Sequence, residues 1–135
     1  MATNKPELFS SSAGVGSGLR AVATSQQPKL FKTGSGTLAK LTAVALNTST
    51  LQWVPWDVLG TNGMNTIRGF VWSDEITLHG TDEVIGQVML GGKVHFDDLP
   101  ANLGGAGAPT AAQVNAALRA VHTYGLIVEG IPATV

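Results

Sequence analysis

LTAVALNTSTLQWVPWD, residues 41–57, is the stretch from which the fold is read. An apolar run from Leu41 to Leu46 stops at Asn47-Thr48-Ser49, and a second run then alternates. Leu51 and Trp53 fall on one face of that run, Thr50 and Gln52 on the other. Period-two alternation around a short polar break predicts a β-hairpin. Leu51 and Trp53 are therefore expected to pack together on the core side. Trp56, just after Pro55, is expected to join them.

Working outward, the downstream sequence predicts more strands and one helix. Gly60-Thr61-Asn62-Gly63 reads as a turn, Ile67 to Trp72 as a strand interrupted by Gly69, and Ile76 and Leu78 as a short strand. Val84 to Leu90, Gly91-Gly92 and Lys93 to Phe96 read as a second hairpin, with the diglycine supplying the positive φ angles of a tight turn. Asp97-Asp98-Leu99-Pro100 closes it, and Asn102 to Ala108 is a Gly/Ala loop. Thr110 and Gln113 form a capping box at a helix start. Val114, Ala117, Leu118 and Val121 then make one apolar stripe, and Gly125 is placed to end the helix. Leu126 to Ile131 is the closing strand. The expected fold class is mainly β with one short helix.

Residues 1–36 are dense in Ser, Thr, Gly and Gln, a composition that buries too little apolar surface to offset the entropy of ordering. They are read as a flexible N-terminal arm, followed by a β-rich domain over 37–135. Charge divides the same way. Residues 1–40 carry Lys5, Arg20, Lys29, Lys32 and Lys40 against Glu7, a net of +4, and residues 41–135 carry a net of −5. The arm is either a solvated tail or a segment that orders by adding a strand to a partner's sheet edge. Leu30-Phe31, flanked by Lys29 and Lys32, is its best anchor.

Charged residues make up only 13% of the chain, against roughly 25% in average soluble domains. Such a neutral surface suits coverage by identical subunits or a partner. The five spread cations form no cluster with interleaved aromatics, so no direct nucleic-acid role is expected. With no cysteine, no thiol chemistry or disulfide framework is available. Neither an export signal nor a membrane span is expected, since Met1 to Ser12 is broken by Asn4, Lys5, Pro6 and Glu7.

Candidate chemistry is sparse. Gly14-Val15-Gly16-Ser17-Gly18 lacks the strand and helix that a phosphate loop requires. His79, His95 and His122 each stand without a second ligand at helical spacing, so no metal site is expected. Asp74-Glu75, Asp82-Glu83 and Asp97-Asp98 are adjacent acids, which a strand would point to opposite faces. No Gly-x-Ser-x-Gly elbow lies between a strand and a helix. The reading is a chain with no catalytic residue, no cofactor and a function carried by its surfaces.

The hairpin that runs into Trp56-Asp57 resembles the first hairpin of the lambda-like phage head decoration proteins. The resemblance continues in order through Ile67-Arg68-Gly69-Phe70-Val71, the strand pair Val84 to Phe96 followed by Asp97-Asp98-Leu99-Pro100, and Gly125 to Ile131 after a helix. It covers roughly residues 38 to 131, and the order of the motifs carries its specificity. It implies a small β-clip-like domain that forms homotrimers. Such trimers sit at local three-fold positions of an expanded icosahedral head, bind the major capsid protein and stabilise the shell against packaged DNA. It further implies assembly in the host cytoplasm, a place on the outer surface of the virion, and a capsid-binding arm around Gln27 to Thr37, where Lys29, Leu30, Phe31 and Lys32 lie. Two other classes compete. A trimeric β-clip nucleotide hydrolase, dUTPase-like, is echoed only by Tyr124-Gly125. A carbohydrate-binding module would need exposed Trp53, Trp56 or Trp72.

Overall fold

The computed structural model describes residues 20–32 and 34–133. It is mainly β with one helix. The elements are β1 (Val22–Phe31), β2 (Thr37–Ala39), β3 (Ala43–Asn47), β4 (Gln52–Pro55), β5 (Gly69–Val71), β6 (Glu75–Thr77), β7 (Val84–His95), the helix α1 (Ala111–Ala120) and β8 (Leu126–Glu129).

The hairpin lies where the polar break places it. Ala45 pairs with Val54 and Asn47 with Gln52, and the Asn47 side chain accepts from the N–H groups of Ser49 and Thr50 to shape the turn. β3 then pairs with β5, β5 with β7, and β7 with β1. β1 also meets β4 in parallel at Phe31 and Trp53, which closes these five strands into a ring. β8 extends the sheet from β7 in parallel, at Gly92 to His95. A parallel neighbour needs a crossover connection, and α1 supplies it.

Both faces of the sheet are covered, so neighbouring residues serve different cores. Ala43, Phe70 and Met89 join Trp56, Leu103, Val114, Leu118, Val121 and Leu126 in the cluster beneath α1. Val44, Val71 and Val88, next in sequence or just before, join Phe31, Trp53, Leu38, Ile76 and Leu78 in the other. Successive strand side chains point to opposite faces. A strand buried on both sides therefore reads as an unbroken apolar run, as Leu41 to Leu46 does. The second cluster is closed by β2 paired with β6, a two-stranded ribbon anticipated only in its β6 half. Its Ile76 side chain occupies the place a Cβ on Gly86 would need, which lets the ribbon lie close against β7.

The capping box forms in full, with the Gln113 N–H donating to Thr110 Oγ1 and the Thr110 N–H to Gln113 Oε1. A 3-10 turn from Val121 to Tyr124 follows, ended by Gly125 at φ +83°. That is the left-handed conformation glycine accepts without strain.

Three expectations change. First, Val84 to His95 is one continuous strand; no turn forms at Gly91-Gly92. β1 lies along it from Val22 to Phe31, and the diglycine absorbs a bulge in that pairing. Gly92 has φ +133°, and a Cβ there would strike the Val22 carbonyl oxygen. Secondly, Leu51 does not pack with Trp53. It sits in the turn at φ +61°, 70% exposed, because the strand begins one residue later, at Gln52. Thirdly, Val22 to Phe31, read as part of the arm, is a strand of the sheet. Backbone pairing along β7 supplies what its polar side chains do not. Of the arm read over residues 1–36, residues 1–19 and 33 lie outside the described residues, as does the Gly14 to Gly18 motif.

Candidate interaction surface

β1 is the most exposed strand of the sheet. Thr24 to Pro28 are all exposed, since only its edge toward β7 is paired along its length. On the opposite edge, Phe31 alone makes a strand pairing among the described residues, supported by the Lys32 N–H donating to the Trp53 carbonyl at 3.0 Å. The strand is thus held along one side and pinned at its end.

The proposed anchor residues separate by this geometry. Phe31 is fully buried in the cluster with Trp53 and Val88, so its ring is structural and offers no contact to a partner. Leu30 points the other way, 46% exposed, and its cross-strand partner Ile85 is 69% exposed. Lys29, like Phe31, turns to the face opposite Leu30, with its ammonium 5.6 Å from the centre of the Trp53 ring and 3.0 Å from Gln27 Oε1. Lys32 is exposed beyond them. The result is an exposed apolar pair, with one of its flanking lysines turned to the other face of the strand. Ile85 escaped the sequence reading because its pairing with Leu30 spans 55 residues of chain; its exposure could not be told from the buried residues around it.

At the other end of β1, a second exposed row crosses three strands. Val22, Lys93 and Ile127 are aligned neighbours on β1, β7 and β8. Val22 and Ile127 are both more than half exposed, and Lys93 reaches Glu129 at 3.8 Å. Just before this row, Arg20 grips Asp98. Its backbone N–H and Nε donate to Oδ2 at 3.1 and 3.2 Å, and Nη2 to Oδ1 at 3.1 Å. These hydrogen bonds to the ionised form hold the Asp98 carboxyl below its ordinary pKa and raise that of Arg20. The pair ties the start of β1 to the turn that follows β7.

The remaining candidates are dispersed. His79 lies 3.6 Å from Asp82 and His95 3.8 Å from Asp97, both at the surface, and His122 Nδ1 sits 2.7 Å from the Arg119 carbonyl. No group of three metal-ligating side chains converges among the described residues, nor is any helix of theirs long and apolar enough to cross a membrane. Trp53 and Trp56 are buried, and the Trp56 Nε1 donates to the Asn65 carbonyl. Trp72 is half-buried, with the Lys40 ammonium 4.3 Å above its ring. The three rings form no common platform for a sugar. Beside Tyr124, a cavity of about 200 Å³ is lined by Asn65, Thr66, Ile67, Ala117, Ala120 and Thr123. That lining includes no carboxylate to hold a metal and no cation for a phosphate, and the Arg68 guanidinium stacks on the Tyr124 ring 4.5 Å from its centre.

No family model, curated protein or solved structure matches this chain.

Proposed function

We propose that this chain is a phage capsid decoration protein with a β-clip-like domain. It acts by binding the major capsid protein of the expanded head as trimers at local three-fold positions, on the outside of the virion, and does no chemistry. The observation that carries the reading is the order of motifs in the sequence from the Leu41–Asp57 hairpin to the closing strand, Leu126–Glu129. The surface is consistent with it: a strand exposed over most of its length, and the exposed Leu30–Ile85 pair near its end.

Cementing a shell requires no single strong contact. A trimer engages three sites together, and effective concentration multiplies modest contacts into firm binding. An exposed apolar pair has a direct part in such contacts, because burying it against the capsid removes apolar surface from water.

Co-sedimentation with undecorated expanded heads of the cognate phage tests the proposal. Deleting residues 1–36 would also remove β1 and the buried Phe31, so the informative comparison uses the full chain, residues 20–135 and a Leu30→Ser/Ile85→Ser double variant. The full chain is expected to saturate at three copies per local three-fold position. The double variant, folded but bound at least ten-fold more weakly, would locate the contact. Heads that retain none of the three proteins would end the decoration reading.

A further inference from the structure

The turn from Thr61 to Met64 is built on the one Asn-Gly sequence in the chain, Asn62-Gly63. Both central residues have positive φ, +53° and +86°, and the Met64 N–H donates to the Thr61 carbonyl at 3.0 Å. This is type I′ geometry, which favours Asn followed by Gly. Glycine is required here for a second reason, since a Cβ on Gly63 would stand 2.7 Å from the Leu46 carbonyl oxygen. The turn is clamped beside the end of β3 by Thr48, whose N–H and Oγ1 both donate to the Asn62 carbonyl, at 2.8 and 3.0 Å.

The fold thus fixes a reactive dipeptide at the surface. Asn62 is exposed, and the Gly63 N–H donates to no backbone carbonyl among the described residues. Every other asparagine is followed by a residue whose side chain crowds the next backbone nitrogen: Lys5, Thr48, Thr66, Leu103 or Ala116. At Gly63 that nitrogen is open. After losing its proton to hydroxide, it attacks the Asn62 Cγ. The new N–C bond closes a five-membered imide, the Cγ–Nδ2 bond breaks, and ammonia leaves with a proton taken back from water. Water then opens the imide at either carbonyl, giving a normal Asp or an iso-aspartyl linkage with an additional backbone carbon. The net change is one water consumed and one ammonia released, with no oxidant or cofactor.

We propose that Asn62 is a site of spontaneous deamidation through this imide, and that the Thr48 clamp sets its rate. In a type I′ turn the first central residue has ψ of about +30°, which puts the Asn62 side chain and the Gly63 nitrogen nearly opposite across the Cα–C bond. The ring cannot close within the turn. The peptide first has to rotate, releasing the Thr61–Met64 and Thr48–Asn62 hydrogen bonds. Those bonds to the Asn62 carbonyl also acidify the neighbouring N–H, but water supplies the same bonds once the turn opens, so the geometric hold decides. Conversion adds a negative charge, and the iso linkage breaks the register in which Thr48 makes both bonds. The inference is independent of the capsid reading.

The test follows the full-length chain in mildly alkaline buffer, by digestion and mass spectrometry with separation of Asp and iso-aspartyl peptides. Asn62 is expected to convert faster than any other asparagine and to give both linkages. The urea-unfolded chain is expected to convert faster at Asn62 than the folded one. Thr48→Val removes the hydroxyl donor at nearly constant shape and leaves the N–H. With one hydrogen bond lost, conversion should be roughly two- to ten-fold faster, while Thr48→Ser stays near the parent rate. Conversion that is fastest elsewhere, or absent at Asn62, overturns the site, and Asp without iso-aspartate overturns the imide route. A Thr48→Val rate equal to the parent's, a Thr48→Ser rate equal to that of Thr48→Val, or an unfolded rate no higher than the folded one overturns the clamp.

Discussion

The β3–β4 hairpin and β1 belong to one sheet, yet they are held in it differently. Val44, Trp53 and Val54 are buried, and the hairpin's pairing partners lie only a few residues away in sequence. β1 runs for ten residues with only Phe31 buried, and it pairs with β7 some sixty residues downstream. The hairpin is fixed by its side chains. β1 is fixed by its backbone, by a terminal phenylalanine and by the Arg20–Asp98 grip. Side-chain burial leaves a pattern in the sequence, whereas backbone pairing leaves almost none.

The contrast predicts a graded series of effects. Trp56→Ala removes a fully buried indole and its hydrogen bond to Asn65, and is expected to destabilise the whole domain by about 3–5 kcal/mol, measured by urea unfolding. A loss below about 1 kcal/mol would mean that the hairpin is not the centre of the core. Gly92→Ala combines positive φ with a collision at the Val22 carbonyl. Strain of this kind costs about 1–3 kcal/mol, and hydrogen exchange should rise first along Val22 to Gln26, before the hairpin. Uniform loss of protection would show that β1 and the hairpin unfold as one unit.

Asp98→Asn separates the two regions more gently. Amide protection is expected to fall at Val22 and Ala23 while the hairpin stays unchanged. The pH dependence has the same origin. Because Arg20 holds the Asp98 carboxyl below its ordinary pKa, near 3.9 in peptides, the ionised grip contributes fully above that value. Its contribution is lost as pH falls through the depressed folded value. Protection of the first residues of β1 should therefore decline in acid for the parent and stay flat for Asp98→Asn. Leu51→Ala is the smallest perturbation: an exposed turn residue whose truncation should shift stability by no more than about 0.5 kcal/mol. A larger effect would mean that Leu51 is covered in an oligomer.

The candidate surface was half visible from the sequence. Leu30 with its flanking lysines could be picked out as an apolar group in a basic setting, but Phe31 beside it is core, since adjacent strand residues take opposite faces. Which of the two faces out depends on β7, and so does the pairing that brings Ile85 alongside. Asn115, one position after Val114, reads as the helix's polar side, yet it is buried.

What the residues alone decided is local. They set the hairpin about Asn47, the capped helix from Thr110 to its glycine stop at Gly125, and the predominance of strands, because turn chemistry, capping and periodicity act over a few residues. What required the tertiary structure is long-range. Gly91-Gly92 could serve as a hairpin turn or as a bulge inside a long strand, and the choice fell to the bulge because β1 lies along β7 there. The same pairing drew a polar segment into the sheet, since a strand edge satisfies backbone groups whatever side chains they carry.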